Sequence, residues 1–330
     1  MKKVVLTHRL HEEGMKVLAG EVDVKITNTG NPQEMLPELI DADGLIIRIG
    51  SIDRKTILAA KNLKVIGRPG VGVDDVDIAT ATELGIPVVI APGANTRSVA
   101  EHAFMLMMAA AKDLLNSDFE TRKGNFAVRN TYRAFEFLGK TLGLVGYGSI
   151  GRELAKLSTA IGMKVIVYDP FVDPVAIEEQ GYQYKKELEQ LLGAADVVSL
   201  HIPLTDKTRG LIGKREFGLM KTGAILINCA RGGIVDEEAL AEALLNNKLH
   251  SAAADVFSSE PVKSDHPLLN LKNMIITPHM GGLTREAASK VATMAAEGVL
   301  AIVNGEQWPY VANPEVYKHP KWQKNKGGEQ

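Results

Sequence analysis

The chain has little of several features that mark particular classes of protein. Its 330 residues contain one cysteine, Cys229, so a disulfide within the chain is impossible, and no Cys/His cluster has the spacing of a zinc site. The longest apolar stretch, residues 103–111, is far shorter than the roughly 20 residues that a membrane span needs. The N-terminus also lacks the apolar core of a signal peptide. We therefore expect a cytoplasmic protein with no metal site and no membrane partner.

An excess of charge of one sign is absent as well. The chain has 38 basic and 40 acidic side chains and a net charge of -2, which gives no electrostatic reason to expect nucleic acid as a partner. Hydrophobic residues make up 45% of the chain and charged residues 24%, which is the composition of a soluble globular protein. The length suffices for two domains, each with its own core. A small molecule is therefore the expected partner.

Short β-branched runs alternate with amphipathic segments along most of the chain. The first series of predicted strands comprises residues 4–7, 22–26, 45–49, 65–67 and 88–90. The second series comprises residues 142–145, 165–168, 197–201, 224–228, 251–256 and 274–277. The spacing leaves room for one helix between strands, so it predicts βαβ crossovers and parallel sheets. The six strands of the second series match a dinucleotide-binding domain.

Three further segments are predicted from local signals. Ser98 and Glu101 have the spacing of a capping box, which predicts a long apolar helix over residues 101–114. Residues 116–138 carry mixed charge and scattered aromatics without a clear period, and we interpret them as an arm. A final helix over residues 285–303 should end at Asn304-Gly305.

A glycine motif stands between the strand at residues 142–145 and a helical run at residues 150–161. Its glycines, Gly146, Gly148 and Gly151, would allow a tight turn, close approach of a pyrophosphate and close packing of helix on strand. Asp169, at the end of the next strand, could accept hydrogen bonds from ribose hydroxyls and would repel a 2′-phosphate. The motif therefore favours NAD over NADP. The alternative is an ordinary glycine loop, with Asp169 as a turn residue before Pro170.

A histidine, a carboxylate and an arginine follow three later strands. His279 could exchange a proton near neutral pH, and Glu260 could hold its ring and favour the protonated form. Arg231, before two glycines, suits two-pronged binding of a carboxylate, although a structural salt bridge is the alternative. Cys229 stands next to that arginine, but no histidine is near it in sequence, so covalent catalysis is not favoured.

These motifs together resemble the D-isomer-specific 2-hydroxyacid dehydrogenases. The segments that carry the resemblance are residues 146–151 with Asp169, residues 229–236, residues 254–261 and residues 278–282. The resemblance covers nearly the whole chain. It implies an α/β fold of two doubly wound parallel-sheet domains, Rossmann-like and flavodoxin-like, with the nucleotide domain inserted into a discontinuous substrate domain. The substrate domain would comprise residues 1–96 and 286–330, the NAD-binding domain residues 97–285, and the active cleft would lie between them.

The resemblance also implies roles for individual residues. His279 would be the proton donor in reduction, Glu260 its partner, and Arg231 the anchor for the substrate carboxylate and carbonyl. The residues implied to contact NAD are Gly146, Gly148, Ser149, Ile150, Gly151, Asp169, His201, Pro203, Thr208, Cys229, Ala230, Asp255, Gly281 and Gly282. Asp255 would contact the nicotinamide carboxamide.

Within the family, the motifs are most similar to those of the D-3-phosphoglycerate dehydrogenases. The turn with Gly70, Val71 and Gly72 looks like the family's carboxylate-binding turn, and Arg48 and Arg129 fall where such enzymes place phosphate-binding arginines. Arg129 would reach across the interface of a homodimer. We expect no regulatory domain and no feedback through one.

Two other functions are compatible with the same motifs. A glyoxylate or hydroxypyruvate reductase, or another dehydrogenase of small 2-hydroxyacids, would use the same three catalytic residues. A non-catalytic NAD sensor or corepressor belongs to a different class, because a fold does not dictate function. It would require a partner-binding tail or insertion, which the sequence does not suggest.

Overall fold

The computed structural model describes residues 1–323. It divides into two compact units, Met1–Asn95 with the chain from Leu283 onward, and Thr96–Gly282. Residues 324–330, which belong to the predicted substrate domain, lie outside the described residues. No helix within residues 1–323 is long and apolar enough to cross a membrane.

The first unit is built on a five-stranded parallel sheet with the order β2-β1-β3-β4-β5. Its strands are β1 Lys2–Leu6, β2 Val22–Ile26, β3 Gly44–Ile46, β4 Val65–Gly67 and β5 Val88–Val89. Its N-terminal helices are α1 Glu12–Leu18, α2 Pro32–Leu39, α3 Arg54–Ala59 and α4 Ile78–Glu83. The strand order is that of flavodoxin-like folds, which confirms the predicted fold of this part.

The second unit is built on a seven-stranded parallel sheet with the order β12-β11-β10-β9-β6-β7-β8. Its strands are β6 Thr141–Val145, β7 Lys164–Tyr168, β8 Gln183–Tyr184, β9 Val197–Leu200, β10 Ala224–Asn228, β11 Leu249–Ala254 and β12 Met274–Ile276. Its helices are α5 Thr96–Ala111, α6 Leu114–Arg122, α7 Ser149–Ala160, α8 Pro174–Glu178, α9 Leu188–Ala194, α10 Lys214–Leu219 and α11 Glu237–Leu245. The order reverses between β6 and β9, and ligands of such sheets bind at the carboxyl ends beside this switch point.

The second unit departs from the sequence prediction at three places. The prediction of a capping box is wrong, because α5 begins at Thr96 and Ser98 therefore lies inside the helix. The Ser98 hydroxyl donates to the carbonyl of Gly281. Glu101 instead pairs with Arg97, four residues earlier. The predicted arm contains α6 and a 3-10 helix, Phe126–Thr131, and most of its side chains are exposed. The seventh strand, β8, was not predicted because two residues at a sheet edge carry almost no periodic signal.

The last two α-helices within residues 1–323 are α12 Arg285–Val303 and α13 Pro320–Gln323, both in the first unit. The predicted bounds of α12 are confirmed. The Thr284 hydroxyl accepts from the N–H of Ala287 at its start, and Gly305 has a φ of 90° just past its end. α12 packs closely on α1, where an added Cβ on Gly14 would lie 2.7 Å from the carbonyl oxygen of Ala292.

Candidate active site

The loop between β6 and α7 has the geometry that a dinucleotide requires. Gly146 has a φ of 98°, and an added Cβ there would lie 2.5 Å from the His201 carbonyl oxygen. An added Cβ on Gly151 would lie 2.5 Å from the Gly146 carbonyl oxygen, whereas one on Gly148 would meet nothing within 4 Å. Gly148 is also the N-cap of α7 and supplies no side-chain cap. The loop therefore leaves open backbone and helix N–H groups where a pyrophosphate would bind.

Asp169 follows β7 beside this loop. Its Oδ2 accepts from the N–H of Tyr147 at 2.7 Å, and its Oδ1 accepts from the N–H of Phe171 at 2.9 Å. Each carboxylate oxygen has a second lone pair, so the group is fixed in place and can still accept from a ribose hydroxyl. Its use by NAD stays a prediction.

The segment after β9 contains three residues predicted to contact NAD. His201 Nε2 lies 2.9 Å from the Ser199 hydroxyl, and burial lowers the pKa of His201 to about 4, so its imidazole is neutral near pH 7. The Thr208 hydroxyl donates to the Pro203 carbonyl at 2.7 Å and thereby closes the turn between them. These contacts shape the loop, and direct contact with a cofactor stays a prediction.

Arg231 stands just beyond the end of β10, on a turn held by Asn228. The Asn228 amide donates to the Arg231 carbonyl at 2.9 Å, and its Oδ1 accepts from the N–H of Ala230 at 3.1 Å. Gly232 touches the next strand connection, because an added Cβ there would lie 1.8 Å from the Phe257 carbonyl oxygen. Any side chain at position 232 would separate the Arg231 turn from the segment that carries Glu260.

Glu260 and His279 are brought together although they are 19 positions apart in the sequence. His279 Nδ1 lies 2.7 Å from Glu260 Oε2, and Glu260 Oε1 accepts from the N–H of Phe257 at 2.9 Å. The carboxylate thus selects the tautomer with the proton on Nδ1, and Nε2 is the nitrogen that can exchange a proton with a ligand.

Electrostatics favour a charged pair. The hydrogen bond to Glu260 raises the pKa of His279 above its usual value, against opposition from burial and from the nearby Arg231 guanidinium. Burial pushes the pKa of Glu260 upward, but hydrogen bonds from His279 and from the Phe257 N–H outweigh it, so the net shift is downward. A raised histidine pKa keeps a larger fraction of the imidazole protonated near neutral pH.

The loop that carries His279 is held by the buried carboxylate of Asp255. Its two oxygens accept from the Thr277 hydroxyl at 2.6 Å and from the N–H groups of Met280 and Gly281 at 2.9 and 2.8 Å. A hydrogen bond from His102, together with these bonds, outweighs the effect of burial and lowers the pKa of Asp255, so the carboxylate is ionised. Asp255 is 2% exposed, and its first role is to hold this loop. The predicted contact with the nicotinamide carboxamide stays a prediction.

Some residues that shape this site were not predicted from the sequence. They are Asn228, Thr277, Ser98 and His102, which contact the turns described above. The signal available was the position of Ser98 and His102, two polar residues four apart in an otherwise apolar helix.

Cys229 does not have the surroundings of a nucleophile. Its side chain is buried, and burial together with the charge of Asp255 raises the pKa of the thiol far above neutrality. A thiol that stays protonated is a poor nucleophile.

The first unit contains the turn that is predicted to bind the substrate carboxylate. Arg68 pairs with Asp75 at 2.8 Å and donates to the carbonyls of Ile47 and Arg48, which fixes the turn that contains Gly70, Val71 and Gly72. The Gly70 carbonyl accepts from the N–H of Ala91 at 2.7 Å. Among residues 1–323, no hydrogen-bond acceptor is provided for the N–H groups of Val71 and Gly72.

Arg48 and Arg129 lie in different units and both have exposed side chains. Arg48 Nη1 donates to the Arg9 carbonyl at 3.1 Å, which leaves further guanidinium N–H groups for a ligand. Arg129 lies on the 3-10 helix Phe126–Thr131, at the exposed side of the second unit.

A family model matches residues 104–281, and its description is D-isomer specific 2-hydroxyacid dehydrogenase, NAD binding domain. The chain belongs to this family. The predicted family and the predicted cofactor, NAD, are thereby confirmed, and the glycine loop of the second unit has the geometry that this family's NAD-binding domain requires.

Proteins that are similar to this chain in sequence agree with the match to this family. A D-3-phosphoglycerate dehydrogenase from Methanocaldococcus jannaschii is 43% identical over 314 residues, which cover 95% of this chain and 60% of that protein. A glyoxylate reductase from Aeropyrum pernix is 36% identical over 326 residues, which cover 96% of this chain and 97% of that protein. The chain thus spans about three-fifths of the length of the phosphoglycerate dehydrogenase, and the predicted similarity to that group is confirmed.

Solved structures with the same fold are similar to this chain. The TT0316 protein from Thermus thermophilus is 36% identical, with a TM-score of 0.84 over 94% of this chain and 99% of that one. A glyoxylate reductase from Paecilomyes thermophila is 29% identical, with a TM-score of 0.86 over 95% of this chain and 98% of that one.

Proposed function

We propose that this protein is an NAD-dependent dehydrogenase that interconverts a D-2-hydroxyacid and its 2-oxoacid. The preferred pair in this proposal is 3-phosphoglycerate and 3-phosphohydroxypyruvate. The observation that carries the proposal is the contact of 2.7 Å between His279 Nδ1 and Glu260 Oε2, which prepares an imidazole for proton transfer.

The residues of the second unit would perform the reaction as follows. The glycine loop at residues 146–151 would hold NADH, which would supply the hydride to the carbonyl carbon of the oxoacid. His279 donates the proton from Nε2 to the carbonyl oxygen, and Glu260 stabilises the imidazolium before the transfer. The Arg231 guanidinium binds the carboxylate and carbonyl of the substrate and stabilises the negative charge that grows on the oxygen. In oxidation, neutral His279 accepts the hydroxyl proton instead.

The substrate class rests on the arginines of the two units. Arg48 and Arg129 have exposed guanidinium groups, which suit the phosphate of a doubly anionic substrate. The N–H groups of Val71 and Gly72 would bind the substrate carboxylate, as oriented backbone N–H groups do at other anion sites.

A substrate panel with NADH tests the proposal. We expect kcat/KM for 3-phosphohydroxypyruvate to exceed that for hydroxypyruvate and glyoxylate. Arg48→Ala and Arg129→Ala should each reduce this preference by about tenfold or more, since a charge-assisted hydrogen bond contributes roughly 1.5–3 kcal/mol. Arg122→Ala, which removes another exposed arginine of the same unit, is the control. Unchanged activity on the phosphorylated substrate in both variants would refute the phosphate assignment.

The second candidate is a glyoxylate reductase. It is favoured by the relative from Aeropyrum pernix, which matches over 97% of its own length, whereas the phosphoglycerate dehydrogenase from Methanocaldococcus jannaschii matches over 60%. Higher kcat/KM for glyoxylate in the same panel would select this function. Binding of NAD without turnover of any 2-oxoacid would instead favour a sensor or corepressor.

A homodimer formed through the second unit is also part of the proposal. Several large apolar side chains on α6 and the segment after it are at least half exposed, namely Leu114, Leu115, Phe119, Phe126, Tyr132 and Leu138. A concentration of exposed apolar surface in one segment is typical of an interaction site. Phe119→Asp should convert a dimer to a monomer in light scattering, whereas Val175→Asp, on the exposed face of α8, should not.

A further inference from the structure

One face of α5 contacts the His279 loop at two points. Ser98 and His102 are four residues apart, so their side chains lie on the same face of the helix. The buried Ser98 hydroxyl donates to the carbonyl of Gly281 at 2.5 Å, beyond His279 in the chain. His102 Nε2 lies 3.0 Å from the Thr277 hydroxyl, which precedes His279. The two contacts therefore flank the candidate proton donor.

The direction of the second contact follows from a proton count. A threonine hydroxyl has one proton, and that of Thr277 is donated to Asp255 Oδ1 at 2.6 Å. The hydroxyl must then accept from His102, so Nε2 of His102 carries a proton. The same nitrogen lies 3.4 Å from Asp255 Oδ1. His102 thus donates to Thr277, whose hydroxyl is bonded to Asp255, and the Asp255 carboxylate also accepts from the N–H groups of Met280 and Gly281.

The loop needs such support because of its backbone conformation. His279 has a φ of 52°, in the left-handed region that only a few per cent of residues other than glycine adopt. Such a conformation persists where surrounding contacts determine it. An added Cβ on Gly281 would lie 3.0 Å from Asp255 Oδ2 and 3.3 Å from His102 Cδ2, so the loop fits closely against both groups.

We propose that Ser98 and His102 are positioning residues that clamp both ends of the Thr277–Gly281 loop and so hold the His279 imidazole against Glu260. The proposal rests on the proposed function for its effect on turnover. Neither residue is a reacting group, because each acts through the loop and through Asp255.

The test compares His102→Ala, His102→Gln and Ser98→Ala with wild type, using purified full-length protein. His102→Ala should lower kcat by about tenfold or more, because misplacement of a catalytic group by 1 Å can cost roughly 10²-fold. His102→Gln should restore most of the loss, since its amide can donate to Thr277. The Ser98→Ala loss should be smaller than that of His102→Ala. In the double alanine variant, the effects should not be additive, because both residues hold one loop.

Met107→Ala is the control for damage to α5, since Met107 is buried in that helix. This variant should lower Tm without lowering kcat.

A second readout does not depend on turnover. NMR titration of the His279 imidazole, assigned with His279→Gln, should show its pKa moving back toward the usual value in His102→Ala and recovering in His102→Gln. The charged groups that face this imidazole, Glu260, Asp255 and Arg231, are unchanged in these variants. An unshifted His279 titration together with unchanged kcat in His102→Ala would overturn the clamp. Failure of wild type to reduce any 2-oxoacid, with the His279 shift still seen, would overturn the proposed function alone.

Discussion

The loop that carries His279 and the turn that contains Gly70, Val71 and Gly72 are held in different ways. In the second unit, Asp255 holds the His279 loop through buried or partly buried hydrogen bonds from Thr277 and Gly281, and Glu260 adds an exposed hydrogen bond to the His279 ring. In the first unit, Arg68 and Ala91 hold the ends of the turn, while Val71 is 47% exposed. The difference suggests that geometry is fixed where a proton moves, and that free donors are presented where an anion would bind.

The largest effect is expected from the group that moves the proton. His279→Gln should lower kcat by about 10³-fold, within the range of roughly 10²–10⁴ that general acid catalysis provides. Binding of NADH, measured by fluorescence, should be nearly unchanged, because the glycine loop is intact. A variant that keeps more than a tenth of wild-type kcat would contradict the role of His279.

A smaller effect, with a change in pH dependence, is expected from Glu260→Gln. Reduction requires protonated His279, so wild-type activity should fall as pH rises through the raised pKa of this residue. Removing the carboxylate removes the main cause of the raised His279 pKa. The pH at which activity falls should therefore be lower in the variant than in wild type. We expect kcat near pH 7 to fall by about 10²-fold. His266→Gln, which removes another histidine paired with a glutamate, should leave the pH at which activity falls unchanged.

The first unit should respond in KM more than in kcat. Arg68→Lys keeps the charge but loses the fork that reaches Asp75 and the carbonyls of Ile47 and Arg48. We expect KM for the oxoacid to rise by about tenfold with little change in kcat, the pattern of lost uniform binding. A fall in kcat of the same size, with KM unchanged, would show that this turn also acts in the transition state.

The smallest effect is expected from Cys229→Ala. The buried thiol stays protonated, so kcat should remain within about twofold of wild type. Rapid inactivation of wild type by iodoacetamide, absent in the variant, would contradict this interpretation of the cysteine.

Much of the fold followed from patterns that are local in the chain. The alternation of strand and helix predicted two parallel sheets, and the bounds of α12 followed from its period and from Asn304-Gly305. The predicted start of α5 was wrong because the spacing of Ser98 and Glu101 also suits the interior of a helix. The Ser98 hydroxyl donates to the carbonyl of Gly281, and only the packing of the two segments brings that carbonyl within reach.

The sequence by itself determined the family, the glycine loop for NAD, and the identity of the three residues proposed for catalysis, because each depends on a motif of neighbouring residues. Only the tertiary structure gave the distance of 2.7 Å between His279 and its predicted partner Glu260, and showed that Asp255, Thr277, Ser98 and His102 hold the His279 loop. Such contacts join residues from different strands and helices. Their partners are set by how these elements pack, and the spacing of residues along the chain does not reveal that packing.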